Sequence, residues 1–185
     1  MEMIAVRSKK QLSVKTQTLA TIGAVIGAVV LPQIFHVMGA LSGLGTALGE
    51  IFLPMHLPIL LVGLLAGPYA GMIAGVCSPI ISAALTQMPG AAMLPFMTIE
   101  LSVYGLCAGL LRNVQMATFM KVLIAQIMGR AVRAVAILVA TYAFASTAIP
   151  VAIIWKSIAT GIFGLALQWV LLPLIVYRVE HADEK

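Results

Sequence analysis

Residues 16–38 read TQTLATIGAVIGAVVLPQIFHVM and contain no Asp, Glu, Lys or Arg. A helix of about 20 apolar residues is long enough to cross the hydrocarbon core of a bilayer. The apolar core of a secretory signal peptide is shorter, roughly 7–15 residues. We therefore expect this stretch to be a first membrane span that is retained in the protein.

The composition extends this pattern to the whole chain of 185 residues. Hydrophobic residues make up 62% and charged residues 9%, and the mean hydropathy is +1.09. Soluble domains are about 45–50% apolar and about 25% charged. The chain has room for about six spans and little else, which excludes a separate soluble catalytic or nucleotide-binding domain. We predict a single all-α transmembrane domain over residues 1–185.

Turn signals divide the apolar sequence into six predicted spans. Gly67-Pro68 and Pro89-Gly90 are typical turn dipeptides, and the Gly-rich segment 39–49 separates the first two spans. The second span could be re-entrant, since it is short and begins with two prolines. The predicted spans cover residues 16–38, 53–66, 69–85, 95–111, 117–144 and 151–177.

Eight basic residues flank these spans, with Lys121 just inside the start of the fifth, and all of them fall on one side of the predicted membrane. They are Arg7, Lys9, Lys10, Lys15, Arg112, Lys121, Arg178 and Lys185. The loops on the opposite side contain no Lys or Arg. Under the positive-inside rule both termini are cytoplasmic. The net charge of +5 thus indicates membrane orientation, and no nucleic-acid partner is predicted.

Five further charged residues lie within or beside the predicted spans, all toward the external end. A charge at the centre of a membrane helix costs roughly 2.5–3.5 kcal/mol, so such residues usually face a cavity or a partner. Polar residues three or four positions apart extend these charges along shared helix faces. We predict a pocket open to the exterior and closed below by apolar packing. Its predicted substrate-binding residues are Glu50, His56, Ser82, Glu100, Tyr104, Arg130, Arg133 and Lys156.

Each of these side chains also has a structural alternative. Glu100 could pair with Arg130 or Arg133 and leave no space for a ligand. Ser82 could bond to its own helix, and Tyr104 could be a packed aromatic residue. The His and Cys spacings match no metal site, and no catalytic or metal-ligating residue is predicted.

Small residues recur at four-residue intervals in three spans. In span one they are Ala20, Ala24 and Ala28, and a stripe of this kind lets another helix approach closely in lipid. We interpret the glycine stripes of spans three and four as internal helix packing. These glycines are Gly67, Gly71, Gly75, Gly105 and Gly109.

Three short segments, GPYAG at 67–71, LTQMP at 85–89 and LPFM at 94–97, accompany the six spans and the Ala20-xxx-Ala24 pattern. In these features the chain resembles the substrate-binding S-components of energy-coupling factor transporters. The resemblance implies an external pocket for a vitamin or related micronutrient, covered by loops 39–49 and 86–94. It also implies a membrane coupling subunit and two ATPase subunits as partners in the bacterial plasma membrane.

The resemblance implies that this chain binds the substrate and docks to the coupling subunit. Ala20, Ala24 and Ala28 take the docking role toward the coupling subunit. The chain itself needs no cofactor, because ATP is used by the partner subunits. Cobalamin, a pyridoxine-like compound and a pyrimidine precursor all remain candidate substrates. Thiamine is less expected, since aromatic residues are only 6% of the chain.

Two other classes of function stay open at the level of sequence. A small ion-coupled secondary transporter could use Glu100 with Arg130 or Arg133 as a switch. That class often shows internal symmetry or broken helices; the sequence shows neither, although the prolines of span two leave the alternative open. An intramembrane enzyme using His56 with Glu50 or Glu100 lacks any supporting spacing.

Overall fold

The computed structural model describes residues 12–182. These residues form seven α-helices and one short 3₁₀ turn, with no β-strand among them. The elements are α1 Val14–Leu41, α2 Ala47–Phe52, α3 His56–Ala66, α4 Pro68–Thr86, α5 Leu94–Leu110, the 3₁₀ turn Leu111–Asn113, α6 Thr118–Tyr142 and α7 Ile153–Ala182.

Six segments of the described chain are long and apolar enough to cross a membrane. α2 and α3 together form the second of them, Ala47–Ala66. The predicted all-α membrane bundle is therefore confirmed. The last helix is longer than predicted and continues past Arg178, which the sequence placed in a polar tail. The basic residues Arg7, Lys9, Lys10 and Lys185 lie outside the described residues.

The second span is a broken helix, so the interpretation that no helix is interrupted is wrong. α2 ends at Phe52, and the next residue, Leu53, has a left-handed backbone with φ 50° and ψ 48°. A left-handed residue stops a helix, and Pro54 follows it without an N–H group to restart the ladder. α3 then begins at His56. α2 itself begins inside the region predicted to be a glycine-rich loop.

The centre of the bundle is the close contact between α4 and α5. A Cβ atom built on Gly71 would overlap the backbone of Gly105, and one on Gly75 would overlap the backbone at Leu101. Glycine at these positions lets the two helix backbones touch directly. The predicted packing role of these glycines is confirmed. Gly67 is the single residue between α3 and α4. Its φ of 107° is one that residues with a side chain rarely adopt.

The alanine stripe of α1 faces the interior of the bundle. Ala24 is 9% exposed and Ala28 is 0% exposed, and both belong to the hydrophobic core. Their small side chains let α1 approach α3 and α4, which is the same packing that the glycines provide elsewhere. Of the three predicted docking residues only Ala20 remains partly accessible. In this arrangement the structure does not support docking through Ala24 or Ala28.

Candidate functional site

A cavity of about 380 Å³ opens at one end of the bundle. All seven helices contribute to its wall, through the C-terminal halves of α1, α4 and α6, the N-terminal halves of α5 and α7, and the broken second span. Ligand pockets in proteins commonly measure about 300–1,000 Å³. The cavity is therefore large enough to hold a small molecule.

Seven of the eight side chains predicted to bind substrate line this cavity. They are Glu50, His56, Ser82, Glu100, Arg130, Arg133 and Lys156. The eighth, Tyr104, is fully buried behind the wall and contacts Glu100. Six helices, α2 to α7, bring the seven side chains together, so their placement on one cavity is a property of the fold and not of local sequence.

Glu100 is the centre of the polar cluster in the cavity. Its Oε2 accepts a hydrogen bond of 2.8 Å from Nη1 of Arg133, and its Oε1 accepts one of 3.2 Å from the hydroxyl of Tyr104. Nε of Arg130 lies 3.9 Å from Oε1, which is an ion-pair contact but too long for a hydrogen bond. The structural pairing anticipated for Glu100 is present, and the cavity remains beside it.

His56 lies next to this cluster at the first position of α3. Its ring centroid is 5.4 Å from that of Tyr104, and the residue is 4% exposed. Nδ1 of the ring has no hydrogen-bond partner among the described residues. The break after Leu53 sets the ring against the cavity, because it starts α3 at this depth in the bundle.

Charges of both signs lie at the mouth of the cavity. Glu50 on α2 and Lys156 on α7 are exposed, whereas the side chain of Arg130 is only 12% exposed. Arg130, Arg133 and Lys156 face two carboxylates, so the ionisable lining carries one positive charge in excess. Such a lining attracts anions more strongly than cations.

The remaining wall is mostly apolar and flexible. Met55, Met88, Met93 and Met97 all line the cavity. Methionine side chains adapt to irregular shapes, so this wall can fit closely around a ligand. The Ser82 hydroxyl donates a 2.7 Å hydrogen bond to the Met88 carbonyl and thereby ties the loop to α4.

A second polar network lies deeper in the bundle, where the sequence predicted apolar packing alone. Nε2 of Gln126 donates to Oε1 of Gln168 at 3.0 Å, and Nε1 of Trp169 donates to Oε1 of Gln126 at 2.6 Å. Nε2 of Gln168 in turn donates to the carbonyl of Leu53 at 3.3 Å. The prediction of a purely apolar floor is wrong, because these buried polar side chains satisfy one another and add a second donor to the Leu53 carbonyl, which also accepts from the His56 backbone N–H at 3.1 Å.

Sequence reasoning missed the contribution of α1 to the cavity. Pro32 and His36 both line it, one turn apart on the same helix face. A histidine inside a long apolar span was the signal that could have identified this wall. Thr46 and Gly49 were also missed, because the segment that carries them was expected to be an irregular loop.

The sequence model of the family described as "ECF transporter, substrate-specific component" matches residues 13–176. The chain belongs to this family. No curated protein and no solved structure matches the chain. This S-component is thus the substrate-binding subunit of an energy-coupling factor importer and a multi-pass membrane protein.

Family membership also fixes the general setting of the cavity. S-components bind small-molecule substrates and work with a membrane coupling subunit and ATPases. The family is a substrate-binding component of a transporter and not an enzyme. Among residues 12–182 no group of three His, Cys, Asp or Glu side chains is arranged to hold a metal ion.

Proposed function

We propose that this S-component captures a small heterocyclic micronutrient from outside a bacterial cell, a pyridoxine-like compound or a pyrimidine precursor. The observation that carries the proposal is the 380 Å³ cavity that gathers Glu100, Arg130 and Lys156 at one end of the bundle. The substrate is then delivered through a coupling subunit driven by two ATPase subunits. The chain itself binds no cofactor.

The dimensions and chemistry of the cavity support this choice of substrate. Cobalamin, with its corrin ring and nucleotide tail, is far larger than a cavity at the lower end of the usual range for ligand pockets. Thiamine is disfavoured because the lining contains no Phe, Tyr or Trp on which a flat cation could stack. A small ring with several polar substituents matches a wall of methionines and a few convergent charges.

We propose that the coupling subunit docks on the outward face of α1. Leu19 and Ile26 on this face are 70% and 58% exposed, and nothing lies within 4 Å of a Cβ built on Gly23 between them. Ala20, which is partly accessible, borders the same face. In lipid such a face permits close helix packing.

An ion-coupled secondary transporter is a second candidate, and the broken second span favours it. Discontinuous helices at the substrate site are frequent in that class. The buried Glu100–Arg133 pair would be the switching element. The same chain would then transport its substrate without ATPase subunits.

Ligand binding by the isolated chain tests the main proposal. Purified protein in detergent is analysed by native mass spectrometry for a co-purified molecule and is then titrated with pyridoxine and orotate. The variant Thr160→Trp fills the cavity, since Thr160 lines it, and we expect it to lose binding. Thr147→Trp, in an exposed loop, is the matched control. Unchanged binding by Thr160→Trp would contradict the assignment of the cavity.

Reconstitution in vesicles separates the two candidates. We expect the chain alone to bind substrate without accumulating it, and uptake to require the coupling subunit, the ATPases and ATP. Accumulation by the chain alone that is driven by a proton gradient and abolished by an ionophore would establish the secondary transporter instead.

A further inference from the structure

The carboxylates of the cavity leave part of its positive charge without a partner. Both oxygens of Glu100 already accept hydrogen bonds, one from Arg133 and one from Tyr104. Nε of Arg130 is held 3.9 Å away from this carboxylate. The other carboxylate in the lining, Glu50, lies on α2 at the exposed mouth. Within residues 12–182, Arg130 is therefore a largely buried cation without a hydrogen-bonded counter-ion.

Polar atoms without a hydrogen-bond partner converge on the same part of the wall. Nε and Nη1 of Arg130 and Nδ1 of His56 are buried without a hydrogen-bond partner among residues 12–182. His56 is more than nine-tenths buried, and both residues line the cavity. Buried polar groups in native proteins are nearly always hydrogen-bonded, so groups without a protein partner at a cavity wall are available to bind a ligand.

We infer that the ligand carries an anionic oxygen group, a carboxylate or a phosphate, that binds Arg130 and His56 in this cavity. This inference rests on the proposed function and specifies its substrate class. The guanidinium group offers a planar fork of donors that matches either anion. Lys156 at the mouth adds a second positive charge along the path of the ligand.

Arg133 has a different role in this arrangement. Its Nη1 is bound to Glu100, and its Nη2 contacts the Met93 sulfur at 3.7 Å. Arg133 thus neutralises the carboxylate that would otherwise repel an anion. Arg130 is left to the ligand because Arg133 makes the short contact with Glu100, at 2.8 Å, whereas Nε of Arg130 stays 3.9 Å away.

Matched pairs of probes test the inference on the full chain in detergent. Orotate is compared with orotamide, and pyridoxine 5′-phosphate is compared with pyridoxine, by titration calorimetry. We expect the anionic member of one pair to bind more tightly by roughly 10- to 100-fold, the range for a hydrogen bond to a charged group. The pair that shows the preference distinguishes a carboxylate from a phosphate.

Two variants assign the preference to Arg130. Arg130→Gln should abolish the difference within the pair, and Arg130→Lys should retain part of it. Arg178→Gln, on the exposed part of α7 beyond the cavity, is the matched control and should behave as the unaltered protein. Elution as a single monodisperse peak in gel filtration verifies that each variant is folded. A preference that survives Arg130→Gln would overturn the inference.

If no probe binds, native mass spectrometry tests the inference by identifying any molecule that co-purifies with the protein. A co-purified acid supports the inference. A co-purified neutral or cationic molecule, or equal binding of the two members in every pair that binds, overturns it while the proposed function stands. If no probe binds and nothing co-purifies, the proposed function and the inference both fail.

Discussion

Glu100 is the residue on which the polar cluster depends. It is fully buried, and its only compensation comes from the groups packed around it. A buried ion pair adds little net stability as a unit, but removing one partner leaves an uncompensated charge in a medium of low dielectric constant. The other members of the cluster should therefore respond strongly to a change at this position.

We predict that Glu100→Gln lowers the free energy of unfolding by about 3–5 kcal/mol, because it leaves Arg133 and Arg130 without a negative charge. The loss of stability is measured by heating the protein and using gel filtration to monitor how much of it remains folded. Tyr104→Phe removes only one neutral donor and should cost about 1 kcal/mol. In the double variant Glu100→Gln/Arg133→Gln the loss should be smaller than the sum of the single losses, and strict additivity would contradict the pairing.

Residue-level reasoning from the sequence predicted the placement of the charges and the packing of the glycines, but not the burial of the α1 alanines. The high cost of a charge in lipid restricts where Arg130, Arg133 and Lys156 can point, so their positions already indicated a cavity. Ala24 and Ala28 carry no such constraint. An alanine stripe fits equally well against a partner or against the chain's own helices, and only the packed structure distinguishes the two.

At the scale of elements, the break in the second span determines where α3 begins and how α7 packs against it. The break exposes the Leu53 carbonyl inside the bundle, and Gln168 of α7 donates to it across 115 positions of sequence. Six residues of α2 following a glycine-rich segment gave too little periodicity to be recognised as helix. The sequence pattern therefore did not predict the break or the polar network beneath it.

We expect Gln168→Leu to destabilise the break by about 1–3 kcal/mol, because the buried Nε2 of Gln126 loses its acceptor and the Leu53 carbonyl loses its side-chain donor. Amide hydrogen exchange should increase around Leu53 and stay unchanged in α5. Gln115→Leu, at an exposed position, is the matched control. Unaltered protection near Leu53 would show that the Gln168 contact does not hold the break.

The α4–α5 contact gives a second test with an internal control. Gly71→Ala places a Cβ against the backbone of Gly105 and must push the helices apart. We predict a marked loss of thermal stability, in the range of overpacked cores of about 1–3 kcal/mol or more. Gly23→Ala, where a Cβ meets nothing within 4 Å, should be neutral or slightly stabilising. Equal effects of the two substitutions would contradict the packing.

At the scale of the whole molecule, the sequence predicted the number of spans and the common cavity, since lipid imposes strong rules on length and charge. Orientation in the membrane remains a prediction of the positive-inside rule. It places the cavity outside the cell, as an importer subunit requires.

Cysteine labelling of intact cells tests this orientation. In a background with Cys77→Ser and Cys107→Ser, a membrane-impermeant maleimide should label Gly90→Cys at the cavity end. Gln115→Cys, in the loop after α5, should react only after the cells are permeabilised. The reverse pattern would place the cavity in the cytoplasm.

Docking is also a property of the assembled molecule. Ala24→Trp should disrupt the core rather than block a partner selectively, because Ala24 is buried in it. We predict instead that Gly23→Trp prevents co-purification with the coupling subunit and leaves ligand binding intact. Ile127→Trp, exposed on α6, is the control for added bulk in lipid. Normal co-purification of Gly23→Trp would exclude this face of α1.

The unequal lengths of the helices have a consequence for the surrounding bilayer. α5 has 17 residues and α7 has 30, which correspond to about 26 Å and about 45 Å. A hydrocarbon layer of about 30 Å suits the former, but the latter must tilt or project beyond it. Thinning the lipid would accordingly incline α7 while leaving the α4–α5 pair upright, so acyl-chain length should change the width of the cavity mouth.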